Sequence, residues 1–203
     1  MTTCAQALKN WEIANNIPAE EAEYVKLYCQ QPPIMKMDAS LNTLKNCERL
    51  ALSTNCIDRI IPLTGMSRLK ILSLGRNQIK KIEKLEDVAG RVRFEYHSLA
   101  AIYCTCIGTL EELWISYNQI ATLDGLSGLT NLTTLYISNN LIKQWSELDK
   151  LVIPLVYNHQ TQRFRPISLS FVMFFLWAIR CTRTALPAQQ GLKFLSDFLR
   201  LLK

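Results

Sequence analysis

Apolar residues recur along this chain in a short, repeated motif whose period is far longer than that of a helix or a single strand. Four segments align on it: CERLALSTNCIDRI, LKILSLGRNQIKKI, LEELWISYNQIATL and LTTLYISNNLIKQW. They follow L-x-x-L-x-L-x-x-N-x-I, with Cys47 in the first slot of the first copy and Ile115 and Ile137 in place of leucine. The asparagines are Asn55, Asn77, Asn118 and Asn140; two of the three gaps between them are 22 residues, and the middle one is 41.

Each part of the motif has a mechanical reading. L-x-L predicts a short strand whose alternate residues turn inward, so Leu50/Leu52, Leu72/Leu74, Leu113/Ile115 and Leu135/Ile137 should stack in one core. The asparagine follows where the chain turns away. Its carboxamide can bond neighbouring backbone, so Asn55, Asn77, Asn118 and Asn140 are expected as a structural ladder along that turn. The later apolar positions, Ile57/Ile60/Leu63/Met66 and Ile79/Ile82/Leu85/Val88, recur every three residues. That spacing predicts a 3₁₀ or short α-helical back wall. One such unit cannot bury its own apolar face, so the units must stack. The predicted fold is an α/β leucine-rich-repeat solenoid, with a parallel sheet on one face and short helices on the other.

Ahead of the repeats, Ala5 to Gln30 carries Leu8, Trp11, Val25, Leu27 and Tyr28 as its apolar positions. Ile17-Pro18 divides it into two helical stretches, the second opening with Glu20, Glu21 and Glu23 at its positive end. Pro32-Pro33 then stops the second stretch. Residues 1–33 are therefore expected as a helical cap with Trp11 packed inside it. Residues 34–151 are expected as the repeats, Ile34, Met37, Leu41 and Leu44 forming the back half of a degenerate first one.

The pattern breaks twice. Removing the 18 residues 91–108 brings the Asn77 to Asn118 spacing to 23. This insertion is either a surface loop, which solenoids tolerate, or translated non-coding sequence such as an intron; its apolar and aromatic make-up is unlike a solvated loop. The second break follows Leu151, where no fifth L-x-x-L-x-L appears. In residues 152–203 the apolar run Ile167 to Ile179 has thirteen residues, whereas a membrane span needs about 20. The amphipathic end GLKFLSDFLRLLK either covers the open end of the solenoid or comes from a wrong reading frame. The abrupt loss of the motif favours the second origin.

Composition adds little to this and charge removes a temptation. The chain has 203 residues, 49% apolar and 20% charged, enough for one domain with a full core. Its net charge is +6, but the segment after Leu151 holds seven basic residues against Asp197, and the insertion sets Arg91 and Arg93 against Glu95. The remainder carries −1. The body thus has no electrostatic case for a nucleic-acid or membrane partner. Seven cysteines and a start, MTTCAQALKNWE, without a charged and then apolar run fit a reducing compartment. Cys104 and Cys106 form a C-x-C with no further ligands at metal spacing. The nucleotide and zinc-protease motifs are missing, and the two histidines, His97 among them, lie in the irregular stretches. No catalytic role, cofactor or metal is expected.

Function is then expected on the outward strand positions, which are free of packing duty. These are Arg49 and Ala51, Ile71 and Ser73, Glu112 and Trp114, Thr134 and Tyr136; Arg76 and Tyr117 stand just before their asparagines, as do Thr54 and Asn139. Trp114 and Tyr136 share a column, with Tyr117 and Ile71 nearby. Grouped aromatics with an arginine have the composition of a protein-binding hot spot. The candidate contact set is Arg49, Ile71, Arg76, Glu112, Trp114, Tyr117, Thr134 and Tyr136.

The order of motifs resembles the leucine-rich-repeat light chains of axonemal outer-arm dynein. The matching segments are KLYCQQPPIMKMDASLNTLKNCERLALSTNCIDRI, LKILSLGRNQIKKIEKLEDV, TLEELWISYNQI and LYISNNLIKQWSEL, with PPIMKMD and LEELWISYNQI the most specific. They cover Ala5 to Leu151 without the insertion. The resemblance implies a cytoskeletal protein of the ciliary or flagellar axoneme that binds the dynein heavy chain near its microtubule-binding region, with Trp114 and Tyr136 at family contact positions. It also implies a fifth repeat and a terminal helical segment with microtubule-side contacts. Neither is recognisable here, so tubulin contact rests on the family alone. Two other classes of repeat protein compete: a regulatory subunit of a protein phosphatase, which calls for more tandem repeats and acidic contacts, and a scaffold in an RNA–protein particle.

Overall fold

The L-x-L segments form the strands of one parallel sheet. The computed structural model describes residues 1–88, 91–96, 102–107, 109–126, 128–129, 131–144, 146–147, 150, 157–158 and 163–164. Five short strands, β1 (Tyr24–Lys26), β2 (Arg49–Ala51), β3 (Ile71–Ser73), β6 (Glu112–Trp114) and β7 (Thr134–Tyr136), pair in that order. The register sets Val25, Leu50, Leu72, Leu113 and Leu135 side by side, all facing inward. Leu27, Leu52, Leu74, Ile115 and Ile137 make the next inward row, and both rows are at most 7% exposed. Each fully buried aliphatic side chain contributes about 1.5–3 kcal/mol of transfer free energy, so stacking, not strand length, holds these three-residue strands together.

Behind the sheet, Ile57, Ile60, Leu63 and Met66 and their counterparts Ile79, Ile82, Leu85 and Val88 are buried at three-residue spacing. The expected helical back wall is only partly built. One 3₁₀ turn covers Ala39–Thr43 and another Asp124–Leu126. Between Ile57 and Val88 the wall instead uses isolated turns, such as Met66 N–H to Leu63 O at 3.1 Å and Val88 N–H to Leu85 O at 3.1 Å. A three-residue advance per buried side chain needs no continuous helix when the next coil supplies the packing.

The cap differs from expectation. A helix, α1 (Cys4–Asn15), begins at Thr3, whose side chain accepts from Gln6 N, and ends at Asn16 in the left-handed region. It buries Cys4, Ala7 and Leu8, with Trp11 half-buried against the core. The second stretch, expected to be helical, is a three-residue 3₁₀ turn at Ala19–Glu21 followed by strand β1. Tyr24-Val25-Lys26-Leu27-Tyr28 alternates polar-face and core residues, and pairing with β2 outweighs the acidic N-terminal signal. Residues 1–33 are thus a helix plus the first strand of the sheet.

The insertion leaves the solenoid register untouched. β3 pairs directly with β6, Leu72 opposite Leu113. Val88 O accepts from both Thr109 N and Leu110 N, at 3.2 and 3.3 Å, as Lys70 O accepts from Glu111 N and Glu112 N. Within the insertion, β4 (Arg91–Tyr96) and β5 (Ile102–Ile107) pair antiparallel, Phe94 opposite Cys104. Further on, β8 (Tyr157–Asn158) pairs with β9 (Arg163–Phe164). The run 167–179 and the segment after it lie outside the described residues. Among the described residues no helix is long and apolar enough to cross a membrane.

Candidate functional site

The turn after each strand is built by an asparagine and a left-handed residue in front of it. Asn118 Oδ1 accepts from Ile79 N at 3.0 Å, and its Nδ2 donates to Leu74 O and Ile115 O, both at 3.0 Å. Asn55, Asn77 and Asn140 repeat this arrangement with Ile34, Ile57 and Ile120 as donors. Each carboxamide therefore satisfies backbone groups of its own coil and of the coil before it, where water cannot reach them. The preceding residues Thr54, Arg76, Tyr117 and Asn139 have φ between 55 and 59°. Only asparagine enters that region cheaply, so each of the others holds about 1 kcal/mol or more of strain that the ladder maintains. This geometry throws Arg76 and Tyr117 onto the rim of the sheet face.

Four of the candidate contact residues come together. The Trp114 and Tyr136 rings lie with centroids 4.7 Å apart, tilted at 52°. The Trp114 indole N–H donates to Glu112 Oε2 at 3.0 Å, which fixes the ring's orientation. The Arg76 guanidinium stands over the Tyr117 ring, 5.1 Å from its centroid. Arg76, Trp114, Tyr117 and Tyr136 line an open groove of about 400 Å³ together with Ser53, Ser73, Ser116 and Ser138. Trp114 is 43% and Tyr117 52% exposed, so these rings are not core. Ser53 and Ser73 are hydrogen bonded at 2.6 Å and Ser116 and Ser138 at 3.1 Å. The groove floor is thus hydroxyl-rich, small and already ordered, while its walls are aromatic.

The remaining candidates, Arg49, Ile71, Glu112 and Thr134, align across the strands one row away. Arg49 is exposed and the other three are half-buried. Ala51, an outward position, is only 8% exposed, because a methyl group lies low between flanking strands. Sequence reasoning missed the edge strand's share of the face: Tyr24 and Tyr28 are 43% and 50% exposed, and Lys26 Nζ sits 4.8 Å from the Tyr24 ring. The two-residue alternation from Tyr24 to Tyr28 was the available signal. Among the described residues no three His, Cys, Asp or Glu side chains gather as metal ligands. His97 and the side chains of Cys104 and Cys106 lie outside them.

Comparison with known proteins fits this architecture. Residues 109–150 match the family model described as Leucine Rich repeats (2 copies). The protein named Dynein axonemal light chain 1 from Chlamydomonas reinhardtii is 52% identical over 150 residues, covering 74% of this chain and 67% of the relative. The Xenopus laevis and Homo sapiens proteins of the same name are 59% and 55% identical over 87 residues, covering 43% of this chain. This chain spans 45% and 46% of those two relatives. Among solved structures, internalin C2 from Listeria monocytogenes gives a TM-score of 0.48 at 22% identity, covering 74% of this chain and 71% of that one. The Drosophila melanogaster SNF/U2A′ complex gives 0.46 at 20%, covering 86% and 87%. The identity to the algal protein, with two thirds of its length covered, places this chain in the dynein axonemal light chain 1 family of leucine-rich-repeat proteins.

Proposed function

We propose that this chain is a non-catalytic light chain of ciliary outer-arm dynein, held in the axoneme on the motor's heavy chain. The sheet face is the dock, near the heavy chain's microtubule-binding region, where occupancy modulates the motor's grip. The single observation that carries the reading is the cluster of Trp114, Tyr136, Tyr117 and Arg76 around one ordered groove. Aromatic and arginine anchors that are already oriented lose little side-chain freedom on binding, which is what makes such clusters energetically dominant at interfaces. Family membership supports dynein as the partner; contact with the heavy chain and with tubulin rests on the family resemblance.

A pull-down from ciliary extract tests this, with the full chain and its Trp114→Ala variant as baits. The parent should recover a dynein heavy chain and the variant should lose it. Recovery of a phosphatase catalytic subunit or an RNA-particle protein, without a heavy chain, overturns the proposal.

A further inference from the structure

A second surface lies on the flank where each coil leaves the asparagine turn. Ile34, Ile57 and Ile79 are equivalent positions, since each donates its N–H to the asparagine of the next coil. Two residues further on stand Lys36, Arg59 and Lys81, all exposed, each directly before a buried residue, Met37, Ile60 or Ile82. Three cations therefore share one column, on coils about 4.8 Å apart.

Like charges stacked in this way repel and weaken the fold. Some other charged groups among the described residues are paired. On the opposite flank Glu48 and Lys70 occupy one column and form an ion pair at 2.9 Å, and Lys150 lies 2.5 Å from Asp124 and 2.9 Å from Glu147. In the Lys36 column the only ion pair among the described residues is a long one, Arg59 to its neighbour Asp58 at 3.9 Å. Lys80, Lys84 and Lys143 extend the same flank, all exposed. Asp58 lies on the same flank, and Asp38, Glu83 and Asp124 stand two residues beyond the column positions of their coils. Lys36, Arg59 and Lys84 also line a groove of about 260 Å³, together with Asp58 and with Met37, Ile60 and Ile61 along it.

We propose that this flank is a docking stripe for an acidic peptide, an extended segment whose carboxylates lie along the Lys36–Arg59–Lys81 column. Charge complementarity selects the partner's sign. The groove, with apolar side chains among its cations, suits a polypeptide better than a nucleic acid, because no described aromatic residue stands on this flank to stack a base. The stripe shares no residue with the groove of Arg76, Trp114, Tyr117 and Tyr136.

The test uses the full chain and a fluorescein-labelled deca-glutamate peptide, followed by anisotropy between 25 and 200 mM salt. Binding should be saturable and weaken steeply with salt. The Lys36→Glu/Arg59→Glu/Lys81→Glu variant should lose about tenfold or more in affinity. The Lys36→Gln/Arg59→Gln/Lys81→Gln variant should fall between, and Trp114→Ala should bind like the parent. No binding at 25 mM salt, or equal binding by the charge-reversed variant, overturns the proposal. So does tighter binding of a ten-nucleotide single-stranded RNA than of the peptide.

Discussion

The Trp114 and Tyr136 rings meet at 4.7 Å on adjacent strands, Trp114 being paired in register with Tyr136 and steered by its bond to Glu112. Aromatic pairs of this kind contribute about 0.5–1.5 kcal/mol beyond area burial. That is little beside the dozens of aliphatic side chains stacked behind the sheet, and it separates what Trp114 does for the fold from what it can do for a partner.

Trp114→Ala should therefore cost about 1 kcal/mol of stability and lower the melting temperature by roughly 2–4 °C. Heavy-chain affinity should drop about thirtyfold or more, as for a hot-spot residue worth 2 kcal/mol. Differential scanning calorimetry and a binding titration read the two effects separately. A melting temperature lowered by more than about 8 °C, roughly 2–4 kcal/mol, would assign Trp114 to the packing.

Asn118→Ala should be far more damaging to the fold. It strips the acceptor from Ile79 N and removes one of two asparagine donors from Leu74 O and Ile115 O, which keep Asn77 and Asn140. One buried unsatisfied amide costs about 1–3 kcal/mol, and the two weakened carbonyls add to it, so a loss of about 2 kcal/mol or more is expected in urea unfolding. An unchanged midpoint would show that water can replace the carboxamide there.

The contrast between these two residues also shows what was legible in the sequence. The repeat places Leu113 and Ile115 inward and Trp114 outward by alternation alone, and it puts Asn118 at the turn. Periodicity therefore located the core and the aromatic column. It could not locate β1: three acids, Glu20, Glu21 and Glu23, resemble a helix start, while the evidence for a strand is its pairing with Arg49–Ala51, a contact 25 residues away. Nor did it show the left-handed turn, because Thr54, Arg76 and Tyr117 are poor formers of that conformation. They adopt it because the ladder on either side leaves the chain no other path. The Lys36–Arg59–Lys81 column was hidden for another reason: the cations are scattered in sequence and align only when the coils stack.

Two thiols give the fold a pH dependence. Burial pushes Cys4 and Cys47 up to about 11 from an ordinary 9.0. The folded state thus holds both protons in a range where the unfolded chain releases them. Their stabilising effect is fully present below pH 9.0 and is lost as pH rises towards about 11, with a slope of about 1.4 kcal/mol per pH unit for each thiol. Urea unfolding between pH 8 and 10.5 should show this decline, reduced in a Cys4→Ala/Cys47→Ala variant. At pH 8 a thiol reagent should modify exposed Cys29 while Cys4 and Cys47 stay protected. Equal rates at all three would contradict the burial.

Deleting residues 91–108 should leave the solenoid intact. Val88 closes its coil onto Thr109 and Leu110, and β3 meets β6 without help from the insertion. The shorter connection carries less closure entropy, so stability should stay within about 1 kcal/mol of the parent or rise. Circular dichroism and thermal melting of the deletion variant provide the check. Loss of cooperative unfolding would mean that the hairpin packs as part of the repeat body.

The asparagine ladder has a direction. The amide hydrogens of Ile34, Ile57, Ile79 and Ile120 are each held by an asparagine from the following coil, never from their own. A coil is therefore complete only when its successor is in place, and fraying passes backwards along the chain, each lost coil exposing one amide of its predecessor. Those four amides act as a row of indicator lamps. Their exchange with solvent deuterium, read in order from Ile120 to Ile34, would report how far unravelling has travelled before the whole stack gives way.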